Sequence, residues 1–129
     1  MKNSILEIFE QGTVSDQANR LLINELKWNE HPVFKGVFLK HLITGSQTNG
    51  QLSSHLVKIN PGCQIGTHNH IGKTETHEVV EGSGYCSVEE KEFRYLPGYV
   101  VLIPADLNHQ VTADEKGLVI LAKFFPALL

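Results

Sequence analysis

Imidazole and carboxylate side chains crowd one short stretch of the sequence, where His68, His70, Glu75 and His77 fall within ten residues. These groups are ligands of divalent transition metals. Two histidines separated by one residue on a β-strand point to the same face, so the first two can chelate one ion. The set contains no thiolate, which argues against a closed structural zinc site and favours an ion with open positions. The competing interpretation is a pair of exposed strand histidines.

The register of a hairpin brings all four side chains together. Residues 71–74 are expected to form a four-residue loop whose glycine takes a positive φ. His70 then lies opposite Glu75 and His68 opposite His77, with Cβ atoms about 4.5–5.5 Å apart. On an inward face, such groups are costly unless a metal or a partner compensates them. Two alternatives stay open: His77 replaces Glu75 as a ligand, or His77 is a buried histidine held by hydrogen bonds.

A second segment, residues 98–109, offers one more candidate ligand. Its residues 100–103 predict a strand that is apolar on both faces. Pro104 follows, and His109 stands at the start of the next predicted strand. These residues alone do not aim His109 at the other four.

Short strands must position these side chains. From Pro32 onward, apolar runs alternate with Gly, Pro, Asn and Asp at the spacing typical of a β-sandwich or barrel. The predicted strands are residues 33–44, 51–59, 66–70, 75–81, 85–88, 92–96, 100–103, 109–112 and 117–124. Because exposed strand edges must be closed or protected, we expect an all-β jelly roll or small barrel.

The beginning of the chain has a helical pattern instead. Apolar residues at helical spacing predict a helix capped by Asn3 or Ser4. A second such pattern over residues 18–26 could equally open a strand. We therefore expect residues 1–30 to form a helical or extended arm, packed on a single barrel domain of residues 31–129.

Composition narrows the class of protein. The 129 residues, 41% hydrophobic and 19% charged, fit one globular domain. The net charge of -3 and the scattered basic residues argue against a nucleic-acid partner. The sequence shows neither an export signal nor an apolar run long enough to span a membrane, so we expect a cytoplasmic protein. In that compartment, Cys63 and Cys86 are expected to be reduced.

Two features lie outside these segments. Residues 124–129 are more apolar than a free tail, and they either pack on their own barrel or join a subunit interface. His55 could line the pocket or be an ordinary core or surface histidine, whereas His31 and His41 carry no signal.

The two segments resemble the paired motifs of the cupin superfamily, G(X)5HXH(X)3,4E(X)6G and G(X)5PXG(X)2H(X)3N. The matching positions are Gly62, His68, His70, Glu75 and Gly82 in the first motif, and Gly98, Pro104 and His109 in the second. Asp106 replaces the glycine of the second motif, and Ala113 replaces its asparagine. We expect a different turn after Pro104.

The resemblance implies a cupin jelly-roll barrel that holds one divalent Mn, Fe, Ni, Cu, Co or Zn ion through His68, His70, Glu75 and His109. It implies a homodimer that binds a small molecule at the open positions of the ion. The expected activity is dioxygenase-like or isomerase-like, on a small oxygen-containing molecule; the alternative is a non-catalytic binder or sensor. His77 or Asp106 would be the nearest acid or base, but no residue specifies a reaction, so no catalytic residue is assigned.

Overall fold

The computed structural model describes residues 4–129, so the candidate cap Asn3 lies outside the described residues. Within this range, one α-helix and ten strands follow one another, with short 3-10 turns over Ile23–Glu25 and Gly45–Gln47. They are α1 (Ile5–Glu10), β1 (Thr13–Ser15), β2 (Arg20–Leu22), β3 (Trp28–Glu30), β4 (Val37–Ile43), β5 (Ser53–Ile59), β6 (Gln64–His68), β7 (Thr74–Val88), β8 (Lys91–Tyr95), β9 (Val100–Ile103) and β10 (His109–Phe125). The predicted all-β class with a short N-terminal helix is confirmed.

Two long strands, β7 and β10, tie the two layers of the barrel together. The first layer has the order β3-β4-β5-β10-β7-β9, and the second has the order β6-β10-β7-β8. The ladder between β7 and β10 shifts register between Ala113 and Leu118, beside Gly82 and Gly117, which both have positive φ. The breaks predicted at residues 82–84 and 113–116 are therefore wrong, because a bulge bends each strand without ending it.

One apolar core lies between the two layers. The first layer contributes Val57 and Ile120, and the second contributes Val111 and Tyr95, all at most 4% exposed. A second, smaller cluster lies on the outer face of the first layer, where Leu56 and its neighbours contact the arm. Both cysteines are free thiols, as expected. No helix in residues 4–129 is long and apolar enough to cross a membrane.

The arm is partly helical and partly extended. Its helix α1 is capped by Ser4, whose side chain accepts a hydrogen bond from the Glu7 amide. The helix considered for residues 18–26 is wrong, since β2 pairs with β1 there. The physical reason is a turn in which the Asp16 carboxylate accepts from two following amides and closes a hairpin. The division of the chain at residue 30 stays a prediction.

Lys40 fastens the arm to the barrel. This side chain is 1% exposed, and its Nζ donates to Glu10 Oε2 at 2.9 Å and to the Ile23 carbonyl at 3.0 Å. The same Nζ lies 4.9 Å from the centroid of the Trp28 ring. One buried ammonium thus contacts three parts of the arm.

We expect Lys40→Met to lower the free energy of unfolding by about 1–3 kcal/mol, because the charge-assisted hydrogen bonds of Nζ to the Ile23 carbonyl and to Glu10 are lost while the apolar stem is kept. Urea denaturation measures the change. Lys58→Met is the matched control, since the half-buried Lys58 lies 4.6 Å from the same Trp28 ring. Equal losses of unfolding free energy in the two variants would show that Lys40 does not hold the arm on the barrel.

Candidate metal centre

Three histidine rings and one carboxylate meet at one end of the barrel. His68 is the last residue of β6, His70 lies in the following loop, and His109 is the first residue of β10. One ring nitrogen of each lies within 4.8 Å of the other two. Glu75 Oε1 lies 3.2 Å from His109 Nε2 and 3.9 Å from His70 Nε2. The structure therefore brings together the four residues that the motifs indicate.

The strand register that assembles them differs from the predicted hairpin. His68 lies opposite His109, because β6 pairs with β10 in the second layer. Glu75 lies opposite Phe124 in the first layer. The loop between β6 and β7 therefore crosses from one layer to the other, and the predicted pairings of His68 with His77 and of His70 with Glu75 across a hairpin are wrong.

Asp106 fixes the loop that carries His70. Its Oδ1 accepts a hydrogen bond from the Gly72 amide at 2.7 Å, and its own amide donates to the His70 carbonyl at 3.4 Å. Asp106 has a φ of 71°, in the left-handed region that Asp tolerates better than most side chains. The residue that replaces the motif glycine thus keeps a glycine-like backbone and adds a bond between the two loops.

Two of the histidines present a free Nε2 lone pair to the centre. His68 Nδ1 lies 2.7 Å from the Gly66 carbonyl, and His109 Nδ1 lies 3.0 Å from the Leu107 carbonyl. Since a carbonyl oxygen only accepts, each Nδ1 carries the proton, and the neutral ring has none on Nε2. Such a backbone bond fixes the tautomer and the ring orientation of a metal ligand.

The contact between His109 and Glu75 tests whether a cation fits between these two side chains. His109 Nε2 and Glu75 Oε1 are buried, and neither has a hydrogen-bond partner in the described part of the chain. With the proton of His109 on Nδ1, two lone pairs face each other across 3.2 Å. Acceptors that face each other in a buried site need a positive charge between them. The donor set therefore fits a divalent metal ion.

The electrostatics of these groups agree with that fit. Burial lowers the pKa of His68 to about 4 and also lowers the pKa of His70. Burial acts to raise the pKa of Glu75, but the charge of the neighbouring His77 holds it well below its usual range. At neutral pH the site thus offers the neutral imidazoles of His68 and His70 and the ionised carboxylate of Glu75, the protonation states that metal ligands require.

His77 holds the second oxygen of Glu75. Its Nε2 donates to Glu75 Oε2 at 2.5 Å, and its Nδ1 lies 2.8 Å from the hydroxyl of the buried Tyr95. Burial opposes the charged form of His77, but the Glu75 carboxylate prevails and raises its pKa to about 9. Both ring nitrogens are engaged, so the geometry favours a supporting role for His77 over the ligand role left open above.

A small cavity of about 70 Å³ lies beside the centre. His70 and Phe124 are in its wall, with the Phe124 ring edge-on to the His70 imidazole at 5.0 Å between centroids. His31, which carried no signal in the sequence, also lines the cavity. His55 does not line it: this buried ring bonds to His41 at 2.8 Å between the Nδ1 atoms.

Sequence reasoning missed Tyr95, Phe124 and Leu128. Tyr95 reaches His77 from β8, and the other two side chains line the cavity. Tyr95 stands outside both motifs, and Phe124 belongs to a strand that reads as ordinary apolar core. The excess of apolar residues near position 128 was the one signal, because it indicated that this segment is buried. It did not indicate which surface the segment packs against.

Comparisons with known proteins agree with this geometry. The family model described as "Cupin domain" matches residues 55–122. Acireductone dioxygenase of Rattus norvegicus is 33% identical over 63 residues, which are 45% of this chain and 35% of the relative, so the chain spans about a third of that protein's length.

Solved structures show the same fold. A predicted oxalate decarboxylase from Thermotoga maritima superposes with a TM-score of 0.74 at 20% identity, over 81% of this chain and 96% of its own. An RmlC-like cupin from Shewanella frigidimarina superposes with a TM-score of 0.72 at 18% identity, over 88% of this chain and 94% of its own. At these identities the likeness concerns the fold alone.

Proposed function

This chain belongs to the cupin superfamily, and on that premise we propose that it binds one divalent transition-metal ion through His68, His70, Glu75 and His109. A small oxygen-containing molecule would occupy the open positions of that ion. The observation that carries the proposal is the buried pair of opposed acceptors, His109 Nε2 and Glu75 Oε1.

The ligand count follows from the hydrogen bonds around Glu75. His77 occupies Oε2, so the carboxylate offers only Oε1 to an ion. Three imidazole nitrogens and one oxygen leave positions open on a six-coordinate metal. An ion held in this way supplies Lewis-acid polarisation and a template for the bound molecule. Imidazole and carboxylate suit several metals, so Mn, Fe, Ni, Cu, Co and Zn all remain candidates.

The side chains near the site favour a dioxygenase-like reaction over an isomerase-like one. An isomerase needs a free acid or base. Of the two candidates from the sequence, His77 has both ring nitrogens engaged and Asp106 has one carboxylate oxygen engaged. His77 is bonded to Glu75 and Tyr95, while Asp106 Oδ1 accepts from Gly72. The similarity to a protein named acireductone dioxygenase points in the same direction. The alternative is a non-catalytic binder or sensor. Such a protein would bind the metal and the small molecule at the same site but would not convert the molecule.

Metal titration and oxygen uptake together test the proposal. We expect untagged protein to take up one divalent ion per chain, and the Fe²⁺-loaded or Ni²⁺-loaded protein to consume O₂ with an enediol substrate. Stoichiometric binding without O₂ uptake on a panel of enediols would favour the non-catalytic alternative. Failure to bind any divalent ion would refute the proposal.

Loss of the His77 hydrogen bond should weaken the metal site without removing a ligand. We expect His77→Ala to lower metal affinity about 10-fold to 100-fold, because Glu75 Oε2 loses its donor and the carboxylate can rotate. His77→Gln, whose amide can still donate, should recover part of that loss. Competition with a chelator measures both variants. If His77→Ala bound metal as tightly as the unmodified protein, His77 would not position Glu75.

Two further expectations stay proposals. A homodimer is expected from the family, although the segment after β10 packs on its own barrel, through bonds such as that from the Leu128 amide to Ser53 Oγ at 2.8 Å. That intrachain packing was one of the two alternatives for this apolar run. Analytical ultracentrifugation would measure the assembly, and cell fractionation would test the cytoplasmic location.

A further inference from the structure

We infer that Leu128 sets the size limit of the molecule that binds at the metal centre, and that this molecule joins one metal-chelating oxygen head to a short apolar remainder. The inference rests on the proposed metal site and adds the chemical class of its ligand. Three observations carry it: the chemistry of the cavity wall, the volume of the cavity, and the way in which Leu128 is held.

Polar residues form the smaller part of the cavity wall. They are His68, His70, Glu75 and His77, together with His31. The remaining wall is aliphatic or aromatic, with Val57, Ile65 and Ile120 among its members. Against these aliphatic and aromatic side chains, a hydroxyl or charge on the far end of a ligand would be buried without a partner, which is costly. An apolar end gains free energy from the same contact.

The cavity limits the length of that apolar end. Its volume is about 70 Å³. An apolar protein cavity of about 150 Å³ accommodates benzene, so this one has room for roughly three or four non-hydrogen atoms. Leu128 is half-buried, packs against the core and lines the cavity, so its side chain takes up volume that a longer ligand would need.

The segment that carries Leu128 is fixed at several points. The Leu128 amide donates to Ser53 Oγ at 2.8 Å, and the Ala127 amide donates to the Gly50 carbonyl at 3.0 Å. Lys73 Nζ donates to the Ala127 carbonyl at 2.9 Å, which links this segment to the loop after His70. Leu128 is therefore a fixed part of the wall.

A series of alkyl hydroxamates tests the contribution of the apolar chain to affinity while the metal-binding head stays constant. Every member carries the same bidentate metal-binding head, and the chain grows from acetohydroxamate to hexanohydroxamate and octanohydroxamate. Binding to Co²⁺-loaded protein is followed by calorimetry and by the visible spectrum of the ion, with metal content measured separately. The variants are Leu128→Ala and Leu128→Phe. The control is Leu129→Ala, in the same segment but with a side chain that is 58% exposed and outside the cavity.

In the unmodified protein, we expect affinity to rise about fourfold for each of the first methylenes and then to fall. Leu128→Ala should move this optimum to longer chains by about two or three carbons and tighten hexanohydroxamate roughly tenfold or more. Leu128→Phe should move it to shorter chains, and Leu129→Ala should leave it unchanged. A terminal hydroxyl on butanohydroxamate should weaken binding about tenfold.

The outcomes that overturn the inference are distinct from the failure of the metal site. Absence of Co²⁺ from every protein would refute the proposed function, and this inference with it. A loaded protein with the same chain-length profile in Leu128→Ala, Leu128→Phe and the unmodified chain would overturn the inference alone. Equal affinity for the alkyl and the hydroxyl-terminated probes would overturn the apolar ligand class.

Discussion

His109→Ala is expected to lower the affinity for a divalent metal at least about a hundredfold. This exceeds the loss of affinity that follows when a residue that only hydrogen-bonds to a metal ligand is replaced. His109 is 3% exposed, and its Nε2 lies 3.2 Å from Glu75 Oε1. Its removal takes away one ligand and leaves the buried carboxylate facing a space that water can enter. Titration against a chromogenic chelator measures the affinity.

The control for this variant is His41→Ala. The His41 imidazole is half-buried, and its Nδ1 lies 2.8 Å from His55 Nδ1. His41 is not part of the metal centre. We expect His41→Ala to keep the metal stoichiometry of the unmodified protein. Unchanged metal affinity in His109→Ala, with the fold intact by circular dichroism, would show that the ion is held elsewhere.

Gly82→Ala is expected to destabilise the fold by about 2–5 kcal/mol, the sum of a left-handed backbone penalty and overpacking. Gly82 has a φ of 81°, and a Cβ there would overlap the carbonyl oxygen of Gly117. That contact joins β7 to β10 where both strands bend, so the variant should also disturb the segments that carry Glu75 and His109. Thermal and urea unfolding measure the loss.

Gly62→Ala is the control that measures the backbone penalty without a close approach. Gly62 also has a positive φ, of 74°, but a Cβ there would meet nothing within 4 Å. We expect a loss of only about 1–2 kcal/mol, from the left-handed backbone alone. If the two variants lost equal stability, the contact between Gly82 and Gly117 would not constrain the barrel.

The candidate residues of the site were predictable from sequence, whereas their strand partners were not. Spacing on a strand indicated that His68 and His70 act together, and the resemblance to cupins supplied His109. The hairpin register was wrong because strand pairing depends on which layer each strand joins. Loop length alone cannot show that the chain crosses from β6 in one layer to β7 in the other.

The fold class was predictable because the turn residues and apolar runs are local features. The continuity of β7 and β10 was not, since glycines that look like turns in sequence serve as paired bulges in the structure. The supporting contacts of the site were also hidden. Tyr95 reaches His77 across 18 positions of sequence, and Asp106 reaches Gly72 across 34, so no local pattern reports either contact.

X-ray absorption spectroscopy of the untagged protein, together with metal analysis, tests directly whether the three histidines and Glu75 bind a metal ion. We expect one divalent ion per chain, with a first shell of nitrogen and oxygen only and the multiple-scattering signature of about three imidazoles. Loss of one imidazole from that signature in His109→Ala would add direct support. A sulfur ligand in the first shell, or protein that neither contains nor takes up a stoichiometric ion, would contradict it.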